Sequence, residues 1–273
     1  MSEVTRPRAP HGLRLWGLGG AVVAAVFAVW MLFFPAAVTA YFAWPVEPRL
    51  GQVFLGAGWI FRTGFFLSVW REPAWHRLRW VFWGNLAFTG TLLLATFLHA
   101  DRFNWAFPTA VLWVILYVAE PVVMVYLAPH RPETPFAPPE GVCRIGSGLR
   151  WLLIAELAIL GTVGAWLITN PAFMGGLWPW ALRPLGARII AAWFLGWAVW
   201  AGAMAFAQDW DEIRIGVRLN ILFGLALLAS ILVFLPLFDF RQPGVWLYVG
   251  GIALLTGALI FFYWRQASPR TPA

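Results

Sequence analysis

The sequence predicts an all-α membrane protein of eight transmembrane helices, built as two tandem four-helix repeats in parallel orientation. Three observations carry this. Hydrophobic residues make up 61% of the 273-residue chain and charged residues only 11%, against about 25% charged in water-soluble domains. That leaves too little polar surface for a water-facing coat, so lipid is the outer solvent. Apolar stretches recur near the ~20 residues that a helix needs to cross ~30 Å of hydrocarbon. Finally, landmark residues repeat. Trp75, Arg79, Asn85 and Phe88 return 135 positions later as Trp210, Arg214, Asn220 and Phe223. Pro35, Trp44 and Pro48 return 136 later as Pro171, Trp180 and Pro184, and Asp101 and Pro108 answer to Asp239 and Pro243. A recurrence of this length is the mark of an internal repeat.

In chain order, spans are expected at about 15–34, 50–70, 80–99, 105–127, 150–169, 187–207, 215–236 and 244–264. Turn-forming and charged residues separate them: Pro45 and Pro48, Glu72-Pro73, Asp101, Pro171, Arg183-Pro184, Asp209 to Glu212, and Asp239 to Pro243. The organisation read from this is a tail over 1–14, a first repeat over 15–128, a linker over 129–148, a second repeat over 149–264 and a tail over 265–273. The linker carries Pro129, Pro132, Pro135, Pro138 and Pro139.

All 19 basic residues are Arg. Arg6, Arg8, Arg14, Arg71, Arg77, Arg79, Arg131, Arg144, Arg150, Arg214, Arg218, Arg265 and Arg270 fall on one side of the eight-span topology. Only Arg49, Arg102, Arg183, Arg188 and Arg241 fall on the other. The imbalance of 13 to 5 places both termini in the cytoplasm of a bacterial plasma membrane. With four spans per repeat, both copies insert the same way round, so the axis relating them lies along the membrane normal. Arg6 to Arg14, the apolar run and Val38-Thr39-Ala40 also fit a signal peptide. The first span matches the fifth, which cannot be one, and this favours retention. The net charge of +7 is loop charge for topology and anionic headgroups, and no basic run is dense enough for nucleic acid.

Trp favours the membrane interface. Trp44, Trp105, Trp178, Trp180 and Trp246 fit an outer belt; Trp16, Trp70, Trp75, Trp80, Trp151, Trp210 and Trp264 fit an inner one. Trp59, Trp113, Trp193, Trp197 and Trp200 fall deeper, as packing or as the lining of a pocket.

Arg62, Glu120 and Glu156 lie inside spans. A charge at the bilayer centre costs roughly 2.5–3.5 kcal/mol on insertion scales, so such groups face a partner or water. All three sit roughly 9–12 Å from the inner interface at 1.5 Å per residue, and Asn85 and Asn220 reach a similar depth. These five form the candidate ligand site. None of the charges is copied in the other half, where the matching positions fall near Gly196 and Leu255–Thr256. The alternative is an Arg62–Glu120 pair that fixes helix register, with Glu156 snorkelling to the inner surface. Glu120 precedes Pro121, which can kink its helix.

Asp209, Asp211 and Glu212 are the one acidic cluster and a weak candidate for a divalent metal, with Arg214 and Arg218 as the competing counter-charges. No cofactor is expected. Lys is absent, which excludes a retinal Schiff base, and of four His only His99 is expected near a span, which leaves haem without paired axial ligands. The one Cys, Cys143, excludes an internal disulfide. No His-Glu-x-x-His, Gly-x-Ser-x-Gly or phosphate-binding Gly loop occurs.

Phe42-Ala43-Trp44-Pro45 with Pro48, Gly56-Ala57-Gly58, Trp75 to Arg79, and Thr91 to Phe103 resemble a group of uncharacterised bacterial multi-span proteins. The resemblance covers chiefly the first half and implies no activity. The expected function is a carrier or channel for a small or amphipathic solute, with its site at Arg62, Glu120 and Glu156. The alternative is a non-catalytic subunit or scaffold whose partners are lipid, pigment or another membrane subunit. A membrane enzyme acting at the cytoplasmic face is a minor third reading.

Overall fold

A computed structural model of the chain describes residues 9–127 and 143–267. Positions 129–142 of the expected linker over 129–148, most of both tails, and Arg6, Arg8, Arg131 and Arg270 lie outside the described residues. Among the described residues eight helices are long and apolar enough to cross a bilayer, so the chain is a polytopic membrane protein. They are α1 (His11–Phe33), α3 (Arg49–Arg71), α4 (Trp75–Leu98), α5 (Pro108–Leu127), α6 (Ser147–Thr169), α8 (Pro184–Phe206), α9 (Trp210–Val233) and α10 (Pro243–Ala267). Two short helices, α2 (Pro35–Tyr41) and α7 (Pro171–Leu177), follow α1 and α6. Sequence reading treated both stretches as connections, because seven residues are too few for a periodic signal.

Prolines set most boundaries. Pro35, Pro171 and Pro184 stand in the first turn of α2, α7 and α8, where the missing N–H costs nothing. Asn170 caps α7 by accepting from Phe173 N at 3.2 Å, and Asp209 caps α9 by accepting from Asp211 N at 2.9 Å.

The order of elements recurs. α1 and α6 are both 23 residues long, α2 and α7 both 7, α3 and α8 both 23, α4 and α9 both 24. Packing recurs with them: α1 lies on α3 as α6 lies on α8, α4 on α8 as α9 on α3, and α5 on α4 as α10 on α9. The central four, α3, α4, α8 and α9, bury half or more of the residues of their spans, and α1, α5, α6 and α10 bury fewer.

The end at which α1 begins is here the near end and the opposite end the far end. At the near end Trp210 N donates to Cys143 O at 2.9 Å beside the antiparallel pair Arg144–Asp209. Ala9 N donates to Pro73 O at 2.7 Å at the matching place in the first half. At the far end each half uses an Arg to close the carbonyl end of its first helix. Arg49 donates to Met31 O at 2.5 Å and to Leu32 O, and Arg188 donates to Ile168 O at 3.2 Å.

α4 and α8 meet backbone to backbone. A Cβ on Gly84 would lie 2.6 Å from Gly196 O, and one on Gly196 would lie 2.8 Å from Phe88 Cβ. Such close approach is how helices gain dispersion energy where lipid removes the hydrophobic drive.

The Trp assignment needs correction. Trp105 and Trp246 are exposed, as an outer belt requires, but Trp44, Trp178 and Trp180 are buried, as are Trp75 and Trp210. Their indoles serve packing; Trp44, for example, meets Trp113 edge-on at 4.8 Å.

Candidate functional site

Each half places an Asn of its second central helix against a Glu from a peripheral helix. In the first, Asn85 Nδ2 donates to Glu120 Oε1 at 2.8 Å. In the second, Asn220 Nδ2 donates to Glu156 Oε1 at 2.6 Å. The five expected residues therefore form two clusters rather than one. Common depth was legible; the direction in which each side chain leaves its helix was not.

The first cluster carries a cation. Arg62 donates through Nη2 to Glu120 Oε1 and through Nη1 to Asn85 Oδ1. Its guanidinium lies 4.5 Å from the Phe66 ring centre and 5.2 Å from those of Phe65 and Phe88, a cation–π setting made strong by the absence of water. Arg62 Nε is buried without a hydrogen-bond partner. In the second cluster, the counterpart of Arg62 across the offset of α3 and α8 is Trp197. Glu156 is 3% exposed, its Oε2 has no hydrogen-bond partner, and it does not snorkel.

A cavity of about 510 Å³ opens at the far end between the halves, within the range of small-molecule sites. Its walls come in matching pairs: Trp44 and Trp180, Gly51 and Gly186, Leu55 and Ile190. Glu47, Asp101, Arg102, Arg183 and His99 ring it with charge and hydrogen-bonding groups. Arg188 Nη1 lies 2.6 Å from His99 Nε2. Because guanidinium only donates, His99 Nε2 accepts and the ring is neutral there. Burial first, and the Arg188 charge second, hold the His99 imidazole below its ordinary value of 6.5.

Along the same faces of α3 and α8, one to two turns deeper, the lining changes to Phe61, Arg62, Trp193, Gly196, Trp197 and Trp200, joined by Gly84, Asn85 and Phe88 of α4. The space left there is about 10 Å³, at the threshold for one water. Trp193 separates the two levels. A Cβ on Gly58 would lie 2.5 Å from its indole, and the ring stacks on Phe223 at 5.6 Å and 19°.

The near end is closed by polar contacts between the halves. Asp211 Oδ2 accepts from Arg77 Nε at 2.8 Å and lies 3.2 Å from His76 Nε2. Glu212 accepts from Arg79 Nη2 at 2.8 Å and from Trp80 Nε1 at 2.9 Å. This corrects the expected counter-charges. Arg214 does reach Asp211 Oδ1, at 3.1 Å, but Arg218 donates instead to the Tyr263 hydroxyl at 2.5 Å. Two carboxylates of the weak metal candidate, Asp211 and Glu212, are thus engaged by cations of the other half, and the third, Asp209, caps α9. His76, missed in the sequence because its span was started five residues late, stands in the first turn of α4.

Two of these contacts join equivalent positions. His76 and Asp211 are 135 apart and Glu47 and Arg183 are 136 apart. The second pair meets at 3.1 Å at the far end. A residue touches its own counterpart only on a two-fold axis. One such contact lies at each end of the bundle.

Comparison with known proteins finds no matching family model, no similar curated protein and no similar solved structure.

Proposed function

We propose that the chain is a carrier for a small amphipathic solute, with its vestibule open at the far end and its near end shut. The observation that carries this reading is the 510 Å³ cavity between the halves, with Trp193, Arg62 and Asn85 lining a separate small space deeper in the bundle. A site between two similar halves, sealed at one end by contacts between them, is what alternating access requires. The recurrence of elements and the two self-equivalent contacts support a tandem repeat about an axis along the membrane normal. The near end is cytoplasmic on this reading, from the excess of Arg on that side. The seal is weak enough to open: partly exposed ion pairs contribute roughly 0.2–1 kcal/mol each.

One observation favours the scaffold reading instead. The Arg62–Glu120 pair is closed to solvent, and Trp151, Trp246 and Trp264 lie exposed on the peripheral helices. Flux separates the two. Purified protein in proteoliposomes is expected to accelerate the passage of at least one solute from a panel of small organic acids, amines and zwitterions. The Arg62→Met/Glu120→Gln double variant is expected to lose that flux. Folded wild-type protein that moves no member faster than protein-free vesicles contradicts the carrier.

A further inference from the structure

Glu156 is a buried ionisable group that the vestibule does not use. It sits in α6 against α7, α8 and α10, and bonds to Asn220 of α9. In α6 the nearest charged residue is Arg150, six positions and about 9 Å of rise away, and it donates to Ala207 O at 3.1 Å. α7 has no ionisable residue, and α8 has only Arg188, held at the far end. α10 supplies Tyr248, half-buried against Trp178 and Trp180, then Tyr263 and Arg265 at the near end. In α9, Asp211, Glu212 and Arg214 belong to the near-end seal, and Arg218 is exposed and bound to Tyr263.

The comparison with the first cluster is direct. Both clusters have an Asn–Glu hydrogen bond; only Glu120 has an Arg. An ionised carboxylate buried with no counter-charge costs far more than an uncharged acid with one unpaired hydroxyl. A carboxyl and one amide also fall well short of the 6–8 oxygen ligands of a calcium site.

We propose that Glu156 is a proton-binding site. The O–H bond forms on Oε2, the oxygen without a partner, while Oε1 accepts from Asn220; the proton is exchanged with water when the bundle opens. Resting on the carrier reading, the same site would exchange one proton per cycle. The proton site and the carrier are tested separately, because one is read spectroscopically and the other by flux.

The test is infrared difference spectroscopy of the full chain in lipid nanodiscs at neutral pH. Wild type minus Glu156→Gln is expected to contain the C=O stretch of a protonated carboxyl, shifted down in heavy water. Wild type minus Glu120→Gln is expected to contain carboxylate bands only. Asn220→Ala, which keeps Glu156, is expected to keep its C=O band and move it to higher frequency, and this variant serves if Glu156→Gln fails to fold. Carboxylate bands in the Glu156→Gln difference, an Asn220→Ala spectrum with no shifted C=O band, or a C=O band that sodium or potassium chloride abolishes, would overturn the proposal.

Discussion

His76 Nε2 and Asp211 Oδ2 lie 3.2 Å apart, and the two residues occupy the same position in the two halves. On the proposed reading of two halves about an axis through the bundle, that contact and Glu47–Arg183 at the other end lie on the axis. Arg77, bound to the same Asp211 oxygen at 2.8 Å, makes the near-end contact a clamp rather than a coincidence of packing.

Trp193 should control passage between the vestibule and Arg62. In a Cys143→Ser background, a cysteine at Asn85 is expected to react slowly with a small thiol reagent added from the far side. Adding Trp193→Ala should raise the labelling rate roughly tenfold, equivalent to lowering the access barrier by about 1.4 kcal/mol. Equal rates with and without the indole would show that Trp193 is packing only.

The Arg62–Glu120 pair gives a thermodynamic cycle. Arg62→Met leaves a buried carboxylate unpaired and should cost about 3–5 kcal/mol, whereas replacing both partners should cost much less. Thermal unfolding in detergent reads the difference. If the double variant regains stability and keeps solute flux, the pair fixes helix register and is not part of the solute site.

The spans themselves were legible because a bilayer demands long uninterrupted apolar runs, and every expected span overlaps an observed helix. The recurrence of landmarks such as Asn85 and Asn220, or Trp44 and Trp180, was legible because they stand at a nearly constant offset. What escaped was set by three-dimensional contact. The pairing of Asp211 with Arg77 joins residues 134 apart. The burial of Trp44 and Trp180 escaped because an indole suits either an interface or a core. The separation of Glu156 from Arg62 escaped because depth follows from counting residues, whereas azimuth follows from packing.

His99 should confer an acid limit. Its folded value lies below 6.5, so between the two values the unfolded chain binds more protons than the folded one. The stability from this group is fully present above about pH 6.5 and is lost as pH falls through the lowered folded value. His99→Gln, which keeps an acceptor for Arg188, should flatten the decline in melting temperature on that side. An unchanged acid limb in the variant would place the sensitivity elsewhere.

The central claim is that the halves move against each other about this axis, and interspin distances test it most directly. In the Cys143→Ser background, one spin-labelled pair replaces Pro45 and Ala181 at the far end, and a second replaces Pro73 and Gln208 at the near end. Releasing the clamp with Asp211→Asn is expected to lengthen the near-end distance and shorten the far-end one. Distances that stay fixed at both ends, or that change in the same sense, would contradict the account.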